Sequence, residues 1–508
     1  MINKIYQILS NNKKNLIISF LFFFIFFFTL WIKKTFGDQT SYSELIYNVY
    51  SIFIDYQTLP LSYKINFLLY TLNTSFFFAS LLIILIEKYK IIFFSKNKFF
   101  LFVQSIPMIK FLLLNYKIYI FYSLLFLVIQ FKFYHYFYSI LQYQVTSKLY
   151  FDAKNIKFIE PREKKNLILI YFESLEYDVN NILPENKKNP LQELEKLFGK
   201  NIFNFKQSPS TSISIAGIFA SQCSTPLYPY ISKKIKEFDQ TKLRCLSDVL
   251  NDFNYKQFHF MTVDKTFHRS DLFLENHHYK IYDNQKIRQR FPNAKNSWGN
   301  GVFDDLMFNL AKEKILQLKK NNDHFNVVIK TTDTHPPFIT SPTCKNSLNK
   351  KFDNDKTYEI LEQLNDSYMK TRAYNAYKCT SILIKNFLDD LKKESVLNDT
   401  IVLIMGDHLA HNKYDIISNN NEERNLYFKI NTKNIFTRNL MNHFDIAPTI
   451  LHEMGFLPED INQYGFGISL FNSNENFNYD KHFKSVMNKK VITDFYIKKL
   501  FEKKSTIQ

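Results

Sequence analysis

The run NLIISFLFFFIFFFTLWI, Asn15–Ile32, restricts this chain more than any other stretch: it carries no charge, and as a helix it is long enough to cross a hydrocarbon layer of roughly 30 Å. Two further runs of similar length follow, INFLLYTLNTSFFFASLLIILI at Ile65–Ile86 and KIYIFYSLLFLVIQFKFYHYF at Lys117–Phe137. Weaker apolar stretches at Tyr42–Leu59 and Phe99–Leu114 allow an extra pair of spans, so three to five membrane helices are expected. The first run is too long for a signal peptide, and no small-residue cleavage site follows it. Lys4, Lys13 and Lys14 precede the first run, and Lys88, Lys90, Lys96 and Lys98 lie between the second and third; all favour the cytoplasmic side. Three crossings or five then leave the rest of the chain outside.

Charge placement narrows the partners. Residues 1–150 hold fourteen lysines, no arginine and four acids, which accounts for +10 of the chain's formal +18. A basic excess gathered around apolar spans is a membrane pattern. A nucleic-acid surface needs a Lys/Arg stripe interleaved with aromatics, and none is visible, so no nucleic-acid partner is expected.

Beyond residue 150 the long Phe runs stop and short apolar runs alternate with amphipathic ones. NLILIYFE (166–173), FNVVIKTTD (325–333), TIVLIMGD (400–407) and NLYFKINT (425–432) have the unbroken apolar character of strands buried on both faces of a mostly parallel sheet. Helical patterns separate them: PLQELEKLF, CLSDVLNDF, GVFDDLMFNLAKEKILQLKK and DSYMKTRAYNAYKCTSILIKNFLDDLKK. This order predicts an α/β domain with a mostly parallel central sheet and helices on both faces, its active site at the carboxyl ends of the strands. The expected division is a transmembrane domain at 1–150, a catalytic domain at 151–475 and a C-terminal tail at 476–508.

The strand ends carry the chemistry. One run finishes on Glu173, another on Asp407 with His408 next to it, and a third continues to His335 in TDTHPPF. Carboxylates and imidazoles converging from separate strands are the oxygen and nitrogen donors that Zn²⁺ or Mn²⁺ takes. A hydroxyl at such a cation loses its proton near neutral pH and becomes a nucleophile. The loop QSPSTSISIAGIFASQC, residues 207–223, offers Thr211 and Ser214 directly before a small-residue helix whose amino end favours an anion.

Glu173 in IYFESLE, the loop TSISIAGIFASQC, TTDTHPPF, GDHLAHN and HFDIAPTILHEMGF (443–456), in that order, resemble the sulfatase-like branch of the alkaline phosphatase superfamily. Within it they are most similar to membrane-bound phosphoglycerol transferases and lipoteichoic acid synthases. The resemblance implies one divalent metal ion (Mn²⁺, Zn²⁺ or Mg²⁺) held by Glu173, Thr211, Asp407 and His408. It also implies Thr211 as the nucleophile that becomes phosphorylated, counted back from Ser221, and His335 against the transferred group. The segment 258–283 resembles a substrate-side loop, with His259, His268 and Arg269 approximating its ligands, and Trp298 in SWGNGVFDD matches a further family position.

The implied function is transfer of phosphoglycerol from a phosphatidylglycerol donor, through phosphothreonine, to a hydroxyl of an envelope glycan. The implied place is the bacterial inner membrane, multi-pass, with the catalytic domain in the periplasm or outside. The alternative is transfer of phosphoethanolamine to lipid A or another envelope glycolipid. Sulfatases of the same fold convert a Cys within Cys-x-Pro-x-Arg to formylglycine; CSTP from Cys223 has its Pro one place late and no Arg, which argues against that route. All four cysteines, Cys223, Cys245, Cys344 and Cys379, lie after residue 150. In an oxidising compartment they form two disulfides, expected in the sequence-local pairing of Cys223 with Cys245 and Cys344 with Cys379.

Overall fold

The computed structural model describes part of 17–28, residue 71, residues 74–80, and residues 149–488 apart from 178, 180–188, 198, 203, 228–242, 347–365, 411–423 and 472–476. The chain divides into two compact units, Met1–Asp38 with Leu61–Tyr143, and Gln39–Pro60 with Gln144–Gln508. In the first unit the described residues of the first apolar run are helical, as are 74–80 in the second. Phe23 and Phe27 there pack on Phe78, with ring centroids 5.6 and 5.3 Å apart. The third run, and the stretches at 42–59 and 99–114, lie outside the described residues. No helix among the described residues is long and apolar enough to cross a membrane.

The second unit is built on a seven-stranded sheet. Its strands are β1 (Asn166–Phe172), β2 (Lys200–Asn201), β4 (Lys256–Met261), β5 (Lys280–Tyr282), β6 (Phe325–Lys330), β7 (Thr400–Gly406) and β8 (Phe428–Ile430), in the order β2-β8-β7-β1-β6-β4-β5. A separate parallel pair joins β3 (Asn204–Lys206) to β9 (Leu440–Asn442). From β7 to β5 every neighbour is parallel; β8 runs antiparallel to β7 and to β2. Every residue of β1, β6 and β7 is buried, as strands covered on both faces must be. Three of the four expected strands therefore stand where the apolar runs placed them. The fourth, 425–432, shrinks to three residues and reverses direction. PLQELEKLF keeps only one turn, Gln192–Glu195.

Helices cover both faces: α1 (Ser214–Cys223), α2 (Leu246–Asp252), α3 (Ser270–Asn276), α4 (Asn284–Arg290), α5 (Asp304–Lys320), α6 (Asp366–Lys393), α7 (Ile446–Glu453) and α8 (Tyr479–Val486). Ile168, Ile170, Phe172, Val327, Ile329, Val402 and Ile404 meet α5 and α6 in one core through Met307, Phe308, Ala311, Ile315, Ala373, Tyr377, Ile384 and Leu388. Each buried Val, Leu, Ile, Phe or Met among them contributes about 1.5–3 kcal/mol on burial. On the other face Ser221 of α1 reaches the Tyr171 hydroxyl at 2.6 Å, and Gln257 donates to the Ser247 carbonyl of α2 at 2.8 Å. Disulfides Cys223–Cys245 and Cys344–Cys379 form as expected, tying α1 to the cap of α2 and the turn Pro342–Asn346 to α6. Past residue 476, α8 packs onto this unit: Tyr479 donates to Asp445 at 2.6 Å and Val486 joins a small cluster with Phe444 and Phe466.

Candidate active site

The parallel strands deliver their terminal residues to one edge. Glu173 follows β1, and Asp407 and His408 follow β7, its immediate neighbour. All three are buried, and they bring ligand atoms within 4.8 Å of one another. His408 Nε2 stands 3.3 Å from Glu173 Oε1 and 3.7 Å from Asp407 Oδ2. Asp407 Oδ1 accepts the Ser174 and His408 amides at 2.8 and 3.0 Å, which fixes the carboxylate plane. Its Oδ2, buried, makes no hydrogen bond among the described residues. A buried carboxylate oxygen without a hydrogen bond, facing a second carboxylate and an imidazole, fits a divalent cation.

The serine loop meets this cluster at Ser214, not at Thr211. Ser214 opens α1 and is half-buried; its Oγ donates to Glu173 Oε2 at 3.0 Å and lies 3.4 Å from His408 Nε2. Thr211 is wholly buried, and its hydroxyl donates to the Ser208 carbonyl at 2.6 Å, inside its own loop. The structure does not place the expected Thr211 in the cluster: α1 begins three residues later, and its first residue, Ser214, is the one aimed at the carboxylates. The cap residue Ile213 gives no side-chain bond to the first-turn amides, which leaves the amino end of this helix suited to an anion.

The small residues after Ser214 let α1 approach the strand that carries Asp407. A Cβ on Gly217 would sit 1.9 Å from the Asp407 carbonyl oxygen, so only glycine permits this spacing. His443, beyond β9, locks the same junction. Its Nε2 donates to the Asp407 carbonyl at 2.8 Å, and its Nδ1 accepts the Ser208 amide at 3.1 Å. Burial pushes its pKa down to about 4, so it serves as a neutral donor and acceptor.

Lys330, the last residue of β6, is a member of the cluster that the sequence reading missed. Its ammonium donates to Glu173 Oε2 and to the Thr331 carbonyl, and lies 3.3 Å from Asp407 Oδ2, all while buried. The signal was a lysine closing an otherwise apolar strand. Burial opposes charge on Glu173, but Lys330 and then His408 outweigh it and hold the carboxyl well below its usual range. Burial likewise opposes charge on His408, and Asp407 and Glu173 overcome it, raising the ring to about 9.

His335 lies beyond β6, with Nδ1–H donating to the Pro336 carbonyl at 2.7 Å and its ring 4.0 Å from that of Trp298. Burial lowers its pKa. Trp298 is buried and also touches Phe267, whose ring is 4.1 Å from that of His268. Burial and then the charge of His335 lower His268 to about 4. His268 and Arg269 both take left-handed backbone angles, φ 52° and 53°, an uncommon strain for two successive non-glycine residues. Arg269 Nε faces Asp271 at 3.4 Å.

His259 does not join this group. The segment 258–283, expected as a loop, is the end of β4 followed by α3 and β5. His259 sits in mid-strand, buried edge-to-face against Tyr279, with neither ring nitrogen hydrogen-bonded among the described residues. Burial drives its pKa to about 3, which makes it a neutral core residue. Two further acids steady the His335 side. Asp304 accepts the Thr332 and Asp333 amides, while Asp333 accepts the Asp304 amide and the Ser297 hydroxyl. Glu176 is matched by Arg424 and serves to tie the loops after β1 and β7.

A family model described as Sulfatase matches residues 165–456. The chain belongs to the sulfatase family. Within the family it is 30% identical over 285 residues to phosphoglycerol transferase I of Escherichia coli O6:K15:H31, covering 53% of this chain and 34% of that protein. It is 29% identical over 313 residues to the protein of that name from Shigella flexneri, covering 58% and 38%. The chain thus spans little more than a third of the length of these relatives. Among solved structures, lipoteichoic acid synthase LtaP from Listeria monocytogenes superposes with a TM-score of 0.49 at 19% identity, over 63% of this chain and 80% of that one. Streptococcus pyogenes phosphoglycerol transferase GacH, in complex with sn-glycerol-1-phosphate, gives 0.45 at 15% identity, over 71% and 92%. Cys223, the cysteine of CSTP in this sulfatase-family chain, is held in a disulfide with Cys245.

Proposed function

We propose that this chain is a membrane-anchored transferase that moves phosphoglycerol from phosphatidylglycerol, through a phosphoserine at Ser214, to a hydroxyl of an envelope glycan. The observation that carries the reading is Ser214 Oγ, placed at a helix amino end within hydrogen-bond reach of Glu173 and beside His408. The likeness to phosphoglycerol transferase I supports the choice of headgroup. Glu173, Asp407 and His408 are the ligands proposed for one divalent cation, Mn²⁺, Zn²⁺ or Mg²⁺. When bound, such an ion lowers the pKa of a nearby hydroxyl and offsets charge on phosphoryl oxygens.

In the first step the Ser214 Oγ–P bond forms as the P–O bond to diacylglycerol breaks, and the serine proton ends on the diacylglycerol oxygen. Glu173 Oε2 orients the serine oxygen, and the first-turn amides of α1 face the phosphoryl group. In the second step an acceptor oxygen bonds phosphorus, the Oγ–P bond breaks, and Ser214 regains a proton. His335 is kept neutral by burial and spends Nδ1–H on Pro336, so it presents Nε2 to take the acceptor proton and pass it on. His268, Arg269 and Trp298 are the proposed walls for the glycerol.

The proposed architecture keeps residues 1–150 as a transmembrane domain of three to five helices in the inner membrane, 151–475 as a catalytic domain outside it and 476–508 as a tail. Ile17, Leu21, Phe76, Phe77 and Phe78 are 40–61% exposed, apolar faces suited to lipid. The test incubates the full chain in detergent with phosphatidylglycerol and Mn²⁺ and maps the adduct by mass spectrometry. A glycerophosphoryl group on Ser214, lost in Ser214→Ala, is expected. An adduct on Thr211, or none with this lipid but one from phosphatidylethanolamine, overturns the nucleophile or the headgroup respectively.

A further inference from the structure

We infer that Lys330 is a built-in counter-cation of the metal site: its ammonium pairs Glu173 and Asp407 and competes with the divalent ion for their oxygens, thereby setting the ion's affinity. The inference rests on the proposed ligand role of Glu173, Asp407 and His408.

Strand alternation puts Lys330 on the sheet face opposite Phe325, Val327 and Ile329, which meet the α5–α6 core. Its ammonium meets both carboxylates. It donates to Glu173 Oε2 and to the Thr331 carbonyl at 2.6 Å, and forms an ion pair with Asp407 Oδ2 at 3.3 Å. Glu173 and Asp407 are each at most 2% exposed, and two such carboxylates side by side need a positive partner to stay ionised. Lysine supplies it as a point charge on a flexible stem, able to withdraw when a stronger cation arrives. It engages Glu173 Oε2, while Oε1 of the same carboxylate faces His408 Nε2 at 3.3 Å, and it approaches Asp407 Oδ2, the oxygen without a hydrogen bond among the described residues, so it draws on the same two carboxylates as a cation held with His408. The charge balance also has a direction. Two carboxylates and a divalent ion cancel, so Lys330 leaves the loaded site with one net positive charge, which matches a singly charged phosphodiester.

The experiment uses the full chain in detergent, stripped with a chelator, with Mn²⁺ titrated calorimetrically and thermal unfolding recorded with and without the ion. Lys330→Met should lower the metal-free Tm, bind Mn²⁺ at least tenfold more tightly than wild type, and gain more Tm on loading. Lys330→Arg should keep a near-wild-type metal-free Tm and bind no more tightly than wild type. If Lys330→Met fails to fold without metal, refolding in Mn²⁺ must recover it; failure to do so overturns the inference. Unchanged or weaker Mn²⁺ binding by Lys330→Met, or an unchanged metal-free Tm, overturns it too while leaving the proposed function standing. Wild type that binds none of Mn²⁺, Zn²⁺ and Mg²⁺ overturns both.

Discussion

Only Ser212 and Ile213 separate Thr211 from Ser214, yet their hydroxyls do unrelated jobs. Thr211 closes its own loop on the Ser208 carbonyl, whereas Ser214 faces Glu173. Ser214→Ala should therefore reduce transfer at least about a thousandfold with little change in Tm, since a half-buried hydroxyl is removed from the chemistry and not from the core. Thr211→Ala should do the reverse, retaining transfer while losing about 1–2 kcal/mol of stability from a buried hydrogen bond. Activity assays paired with denaturant melts check both; loss of transfer in Thr211→Ala with Ser214→Ala still active would reverse the assignment. The sequence narrowed the nucleophile to these two hydroxyls because Ser and Thr are common in such loops. The residues alone left both open and the resemblance chose Thr211, but the count back from Ser221 does not say where α1 begins, and the hydroxyl that faces Glu173 depends on that. Glu173, Asp407 and His408 were legible because each stands where an apolar strand ends. Lys330 was not, because a lysine after FNVVI reads equally well as a strand leaving the core.

Between single residues and the whole chain, the site depends on how closely its elements approach. Gly217 brings α1 against the Asp407 carbonyl; Gly217→Ala inserts a methyl 1.9 Å from that oxygen and must push the helix or the strand end away. The expected result is a loss of about 2 kcal/mol or more in stability together with weaker Mn²⁺ binding, because Ser214 and Asp407 move apart. Calorimetry that finds wild-type Mn²⁺ affinity in a folded Gly217→Ala protein counts against this coupling. On the other side, Asp304 and Asp333 cap each other's segments and bind α5 to the His335 loop. Burial raises Asp304 from 3.8 to about 7, and burial together with Asp304 raises Asp333. The unfolded chain releases these protons first, so Asp304 removes stability as pH climbs from about 4 to about 7, and Asp333 acts in the same direction. Asp333→Asn should lose less stability than wild type across that window in urea melts; an equal or steeper loss contradicts the reading. The elements themselves were legible where the apolar pattern was continuous, as in β1, β6 and β7. β4 was not, because KQFHFM is short and broken by a buried histidine, and β8 keeps its direction only through tertiary pairing with β7.

At the scale of the molecule, the lysines and apolar runs gathered in the first 150 residues are those of the proposed anchor, and the proposed donor is a lipid headgroup. If the proposed anchor holds, phosphatidylglycerol in the same bilayer would be present at a high effective concentration without any added contact, provided the site can reach the bilayer surface. Such a tether makes transfer depend on where the donor lies and hardly at all on its total amount. In vesicles carrying the full chain, phosphatidylglycerol in the same bilayer should form the Ser214 adduct at least about tenfold faster than the same quantity in separate vesicles. Short-chain phosphatidylglycerol, free to exchange as monomers, should erase most of that difference. The measurement is a time course of the Ser214 peptide under the three arrangements. Equal rates from both vesicle arrangements would remove the tethering argument and leave the chemistry at Ser214 untouched, whereas reaction with the short-chain lipid alone would place the site out of reach of the bilayer.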